Sequence, residues 1–174
     1  MKSTFAFYII LFVTSLFTFS CRDDDRIRIP QVEEGVNMRI IVDEDKSDFA
    51  SNDLSNSAIE FDAYSINQNL STVQFIGDYI DASAEDTITG KLVLSLSQTD
   101  FTNGKARGVI TATQVATAFG LPNGIADMGE DDELILYPTV TLTDGRVFNI
   151  DNSAPSIGGG NNASFTVIFG AVVK

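Results

Sequence analysis

The 174-residue sequence contains no histidine, no tryptophan and a single cysteine, Cys21. One cysteine cannot form a disulfide within the chain, and a zinc site of the usual kind cannot be assembled from one cysteine and no histidine. Catalysis by Ser–His–Asp or Cys–His groups is excluded because no histidine is available as the base. The composition therefore removes several enzyme classes. We expect a non-catalytic protein without a metal or a cofactor.

Basic residues are also few, with 11 Lys and Arg against 24 Asp and Glu and a formal net charge of −13. This charge argues against binding of nucleic acid, whose phosphates require Lys and Arg. It argues equally against docking on anionic lipid head groups. A negative surface does keep a domain soluble. The length, with 44% hydrophobic residues, predicts one domain, or at most a small pair, with a sizeable core.

The amino terminus has the pattern of an export signal. Lys2 precedes an apolar stretch, Phe5–Phe19, whose length of about 15 residues is typical of a signal peptide and short for a bilayer core of roughly 30 Å. Ser20 and Cys21 follow, and this placement resembles the bacterial lipobox, in which the cysteine is acylated and becomes the first residue. We predict a signal peptide over residues 1–20 and lipidation of Cys21. The alternatives are a plain signal peptide or an uncleaved anchor.

An acidic run follows the cysteine and consists of Asp23, Asp24 and Asp25. It resembles the export signal of lipoproteins in the Bacteroidetes group, which directs them to the outer face of the outer membrane. The resemblance implies a lipid-anchored protein of the cell outer membrane that faces the extracellular side. The simpler interpretation is a solvated tether. Residues 21–35 are predicted to be that lipidated, flexible tether, and residues 36–174 the folded domain.

Apolar and polar residues alternate with a period of two in the domain, which predicts half-buried strands. The clearest strands span Ile59–Tyr64, Val73–Ile80, Ile88–Ser97 and Leu134–Leu142, and shorter ones span 36–42, 107–111, 147–150 and 165–173. The stretch Asp43–Ser57 is predicted to be a loop. Pro138 has no amide hydrogen, so its strand is predicted to lie at a sheet edge or to contain a bulge.

Two local signals complete the predicted fold. Thr111 and Gln114 have capping-box spacing and begin a helix of about two turns, which Gly120 ends. Asp144-Gly145 predicts a two-residue hairpin of type I′. The sequence therefore predicts an all-β protein, an antiparallel sandwich of about seven to eight strands with one short helix.

Four segments carry a family resemblance: Phe61–Ser65, Asp100-Phe101, Thr111–Gly120 and Leu142–Phe148. They resemble a module of Bacteroidetes surface lipoproteins that form immunoglobulin-like sandwiches and are often encoded near starch-utilisation-type transporters. The resemblance implies a non-catalytic cell-surface lipoprotein that acts as a binding or accessory component of an outer-membrane complex. Its partners would be the membrane, through the lipid anchor, and a transporter complex or a glycan.

Two other functions remain open: a glycan-binding lipoprotein that delivers oligosaccharide to a transporter, and a glycoside hydrolase that uses paired carboxylates. Asp86-Thr87-Ile88 resembles a short O-glycosylation motif of exported Bacteroidetes proteins, which makes Thr87 a candidate modification site. The acidic run 130–133, with Asp127, lacks the spacing of an EF-hand and is predicted to be a solvated loop without metal.

Overall fold

A computed structural model describes residues 35–152 and 169–174. Cys21, the run Asp23–Asp25 and the start of the last predicted strand lie outside these residues. The described strands are β1 Met38–Val42, β2 Ala58–Ser65, β3 Leu70–Asp81, β4 Asp86–Ser97, β5 Lys105–Thr111, β6 Glu133–Leu142, β7 Val147–Phe148 and β8 Phe169–Val172. Helix α1 spans Ala112–Phe119. Short 3-10 segments span Glu44–Lys46, Ser51–Asn56, Gln98–Asp100, Gly124–Asp127 and Ile150–Asn152.

The strands form two antiparallel sheets. One has the order β1-β2-β5, and the other has the order β4-β3-β6-β7, with β8 also paired to β6. Grouping the first, second and fifth strands against the third, sixth and seventh is the connectivity of an immunoglobulin-like sandwich. The fourth strand here extends the second of these sheets beside β3. The predicted all-β sandwich is confirmed.

The core lies between the two sheets because every second residue of the central strands points inward. In β2 the inward residues include Ile59, Phe61 and Ala63, which are fully buried. The ring of Phe61 meets that of Phe75 from β3, with centroids 4.8 Å apart. Gly108 of β5 lies opposite Phe61 in the ladder, and a Cβ there would overlap the Phe61 ring. A glycine is therefore required beneath this ring.

Strand β4 departs from simple alternation. Its register against β3 shifts between Phe75 and Ile76 and again after Gly77, which marks two irregularities in the ladder. Leu92 consequently lies on the outer side and is 50% exposed, whereas Leu96 is buried. The extra residues twist this long edge strand, a common way of protecting a sheet edge from unwanted pairing.

Strand β6 is not an edge strand, so the edge alternative predicted from Pro138 is wrong. The bulge alternative is not found at Pro138 either, since the register of β6 against β3 does not shift there. β6 pairs with β3 on one side and with β7 and β8 on the other. Leu142 N donates to Arg146 O on the β7 side, and amide directions alternate along a strand, so the Pro138 nitrogen points to that side too. Pro138 lies between the part of β6 that pairs with β7 and the part that pairs with β8. No described strand pairs with β6 at this position, so the missing amide hydrogen of Pro138 leaves no described acceptor without a donor.

Helix α1 begins and ends as predicted. Thr111 and Gln114 form a reciprocal capping box, and Gly120 ends the helix in the left-handed region with φ 68°. The β6–β7 hairpin is at the predicted place but has a different turn. Gly145 N donates to Leu142 O, and only Gly145 has positive φ, at 88°. The turn is therefore a type I turn followed by a left-handed glycine, not type I′.

Candidate functional site

Three loops meet at one end of the sandwich: Ile66–Asn69 between β2 and β3, Gln98–Gly104 between β4 and β5, and Thr143–Arg146 between β6 and β7. Hydrogen bonds join them. Gln98 Nε2 donates to Gln68 O at 2.8 Å, and Thr143 N donates to Asn69 O at 2.8 Å. Loops clustered at the end of a sandwich are free to vary without disturbing the sheets, which makes this end the natural place for binding.

A groove of about 750 Å³ opens between the first two of these loops, a volume within the usual range of ligand sites. None of its lining residues is acidic or basic. The lining combines apolar side chains with amides and two hydroxyl groups. The lining consists of Tyr64, Ser65, Ile66, Asn67, Gln68, Leu70, Gln98, Phe101, Asn103 and Gly104. In a chain with net charge −13, an uncharged concave surface of this size is distinctive.

One wall of the groove is shaped by a tight turn at Asn103-Gly104. Asn103 has φ 54° and Gly104 has φ 77°, and Thr102 and Lys105 exchange backbone hydrogen bonds across them at 2.8 and 3.1 Å. This is the type I′ geometry, which favours Asn-Gly. Ser65 N donates to Gly104 O at 2.9 Å, and a Cβ on Gly104 would lie 2.8 Å from Ser65 O. The glycine thus allows the two walls to meet.

The amides of the groove divide into structural and free groups. Asn67 Oδ1 accepts from Asn37 N at 3.0 Å, which holds the start of the described domain against this end. In contrast, the side chains of Gln68 and Asn103 are exposed, and no described residue hydrogen-bonds to either side chain. Ile66, which also lines the groove, is 80% exposed. The groove therefore offers free amide donors and acceptors beside an apolar surface.

Carboxylates cluster instead on the outer face of the β1-β2-β5 sheet, where basic side chains neutralise them. Arg107 contacts Asp43, Glu60 and Asp62, and Lys105 Nζ lies 2.8 Å from Asp62. The hydrogen bond from Lys46, followed by that from Arg107, holds the pKa of Glu60 below its usual value. A carboxyl with a lowered pKa is suited to a salt-bridge network and not to proton donation.

A second carboxylate, Asp48, fastens the last described residues to the domain. Lys174 Nζ lies 2.5 Å from Asp48 Oδ2, and Val172 N donates to Asp48 Oδ1 at 3.0 Å. Burial by itself raises the pKa of Asp48, but the hydrogen bonds from Lys174 and Val172 outweigh it and lower the pKa. Asp48 borders a small depression of about 230 Å³ together with Asp45, Asp53 and Glu60.

Asp132 is buried, so the prediction of a solvated loop is wrong at this position. The side chain is 1% exposed and accepts from Tyr79 Oη at 2.5 Å, Ala82 N at 2.9 Å and Gly129 N at 2.6 Å. Burial and then the hydrogen bond to Asp132 raise the pKa of Tyr79 far above its usual value. The carboxylate is therefore a structural acceptor that joins three segments.

The other predicted positions are distributed as follows. Thr87 is exposed at the start of β4, where its amide donates to Asp86 Oδ1 at 2.8 Å, and it does not contribute to the groove. Cys21 and Asp23–Asp25 lie outside the described residues. Within residues 35–152 and 169–174, no three His, Cys, Asp or Glu side chains are grouped to hold a metal ion. The same part of the chain contains no helix with the length and apolarity needed to span a membrane.

The groove residues are recognisable in the sequence only as turn formers. Residues 67–69 and 99–104 are dense in Asn, Gln, Gly and Asp, which predicts turns but not their meeting. The one available signal was Asn103-Gly104, the strongest short hairpin dipeptide. The contact between the loops depends on strand order, which local sequence does not encode.

The described domain is thus an immunoglobulin-like sandwich with an uncharged groove at its loop end. A comparison with protein-family models and with curated proteins finds no match to the chain.

Proposed function

We propose that the chain is a non-catalytic cell-surface lipoprotein that acts as a binding or accessory component of an outer-membrane complex. The groove is the observation that carries the binding role. It combines a volume of about 750 Å³ with exposed amides and apolar side chains. A site without charges favours an uncharged polar ligand or surface, because a charged group would lose its hydration there without gaining a counter-charge.

The anchoring part of the proposal is supported by the sequence around Cys21 and by the place where the domain begins. Asn37, at the start of the described chain, is bonded to Asn67 of the groove end. Residues 21–35 extend at most about 50 Å when fully stretched. An acylated Cys21 would therefore keep the groove within reach of a transporter in the same membrane, and multiple acyl chains would make the attachment stable.

Asp23, Asp24 and Asp25 are proposed to direct the protein to the extracellular side. Replacing all three with Ala is expected to leave the protein in the membrane fraction but to protect it from protease added to intact cells. Replacing Asp43, Glu44 and Asp45 with Ala, which alters the same number of acids inside the described domain, is the control. If the first variant is digested as readily as the parent, the run is only a tether.

A glycan-binding role is the second candidate, and the free amides of Gln68 and Asn103 favour it. Amides recognise sugar hydroxyls as both donors and acceptors, while Phe101 and Ile66 supply apolar contact. A carboxylate-dependent glycosidase is less favoured, because such enzymes need a carboxylic acid with a raised pKa beside the substrate. The groove has no carboxylate, and Glu60 and Asp48 have lowered pKa values.

Photo-crosslinking in intact cells tests the binding role. A crosslinking residue at position 68, in the groove, is expected to form an adduct with an outer-membrane protein or with glycan. The matched control is position 109, since Val109 is 40% exposed on the outer face of β5. Equal adducts at both positions, or none at position 68, would contradict the groove as the binding site.

Calorimetry with a panel of neutral oligosaccharides separates the two candidates. If the glycan role is correct, a neutral sugar binds the domain, and Ile66→Ala and Gln68→Ala weaken that binding while Val109→Ala does not. A crosslink to protein combined with no saccharide binding would instead support the accessory role alone.

A further inference from the structure

We propose that Asn103 is a site of spontaneous deamidation, and that the fold protects the other Asn-Gly pair of the chain, Asn123-Gly124. Asn103 is exposed, its side chain has no hydrogen-bond partner among the described residues, and the same holds for the amide nitrogen of Gly104. The two groups that must react with each other are therefore both available.

The reaction needs only water. The Gly104 nitrogen loses its proton and attacks Cγ of Asn103, and the Cγ–Nδ2 bond breaks with release of ammonia. Water then opens the resulting five-membered imide at either carbonyl, which yields aspartate or isoaspartate. Glycine promotes the first step because it has no Cβ to hinder the attacking nitrogen.

Ring closure requires Asn103 to leave its left-handed conformation. The turn is held by the two bonds between Thr102 and Lys105 and by the bond from Ser65 N to Gly104 O. These bonds lie at an exposed end of the sandwich, and such segments open locally without unfolding of the core. The rate is therefore set by opening of one turn.

Asn123-Gly124 has the same sequence but both reacting groups are occupied. Asn123 Nδ2 donates to Asp127 Oδ1 at 2.8 Å, and Asn123 N donates to Asp127 Oδ2 at 2.8 Å. Gly124 N donates to Leu121 O at 3.0 Å. The negative charge of Asp127 also opposes formation of the amide anion that must attack. Both asparagines are followed by glycine, so a difference in their deamidation rates would come from the hydrogen bonds around Asn123-Gly124 and not from the local sequence.

Deamidation at Asn103 would introduce a carboxylate into a groove whose lining has none. Isoaspartate would in addition lengthen the backbone of the turn that brings Gly104 to Ser65. Loss of ligand binding with age is the expected consequence, and this consequence alone rests on the proposed binding function. The modification itself can be measured without any ligand.

The experiment incubates the full chain in mildly alkaline buffer and follows each Asn-Gly peptide by mass spectrometry, with an isoaspartate-specific methyltransferase as a second readout. In the folded protein, Asn103 is expected to convert several-fold faster than Asn123. In concentrated urea the two rates should approach each other, because glycine follows both residues. Asp127→Ala should accelerate Asn123 and leave Asn103 unchanged. Equal rates in the folded protein, or conversion of Asn123 first, would overturn the proposal.

Discussion

At the scale of single residues, Asp132 is a buried polar group that joins several segments at the end of the sandwich opposite the groove. Its carboxylate accepts from Tyr79, Ala82 and Gly129, and its backbone oxygen accepts from Val173 N at 2.9 Å. Tyr79 and Ala82 lie some 50 positions from Asp132 in sequence. Local sequence pattern cannot predict such partners, so it predicts a solvated acidic loop at Asp132.

The burial of Phe49 is likewise not predictable from local pattern. Phe49 lies in an acidic stretch that is predicted to be a loop, but it is 1% exposed and paired with Val173.

Asp132→Ala is expected to lower the free energy of unfolding by about 3 kcal/mol, since it leaves a buried hydroxyl and two amides without an acceptor. Tyr79→Phe removes one of the three bonds and should have a smaller effect. Urea denaturation measures both, with the exposed neighbour Glu130→Ala as the control. A similar loss of stability in Glu130→Ala and Asp132→Ala would contradict the structural role of the buried carboxylate.

Asp48 makes the attachment of the last described residues dependent on pH. Its pKa is lower in the folded protein than its usual value of 3.8. The stabilisation is therefore complete above that value and is lost as the pH falls through the lower, folded-state pKa. We expect the free energy of unfolding to decline more gently in acid for Asp48→Asn than for the parent, when measured from about pH 5 to pH 2.

The matched control is Asp45→Asn, which changes a nearby exposed carboxylate that contacts neither Lys174 nor Val172. This variant should retain the acid dependence of the parent. If Asp48→Asn and Asp45→Asn decline equally steeply, the contact between Asp48 and Lys174 does not contribute to stability in solution.

At the scale of elements, the sequence predicts those strands and helices whose own residues show a periodic or capping pattern. The alternation in β2, β3 and β6 and the capping box at Thr111 were predicted and are confirmed. Local sequence does not predict features that depend on which strands pair, such as the position of a strand in its sheet and the type of turn in a hairpin. Pro138 lies in a strand flanked on both sides, and the type I′ turn occurs at Asn103-Gly104 instead of Asp144-Gly145.

The β6–β7 hairpin provides a test of turn geometry. Gly145 has φ 88°, and no other atom lies within 4 Å of the place that a Cβ would take, so backbone conformation alone opposes a substitution. Gly145→Val should cost about 1–2 kcal/mol, the usual penalty for a bulky residue in the left-handed region. Gly145→Asn should cost less, because Asn tolerates this region. Thermal denaturation distinguishes them, and equal melting temperatures for Val and Asn would argue against positive φ at this position.

At the scale of the whole molecule, the two-sheet sandwich followed from the number of alternating strands and from the absence of a β–α–β rhythm. The order of the strands in the sheets could not be predicted from the sequence, and the groove could not be predicted without it. Gln68 and Asn103 are separated in sequence but belong to loops that the topology brings to one end of the sandwich. The resemblance to Bacteroidetes surface lipoproteins remains a prediction. So does the attachment to a membrane, which depends on residues before the described domain.

Metabolic labelling with radioactive palmitate tests this attachment most directly. We predict that the parent chain, expressed in a bacterium with lipoprotein-processing enzymes, incorporates the label and gains the mass of the acyl groups after loss of residues 1–20. Cys21→Ser should remain an unlabelled precursor of full length, whereas Ser20→Ala, which keeps a small residue before the cysteine, should be labelled normally. Equal labelling of Cys21→Ser and the parent would contradict a lipid anchor at Cys21.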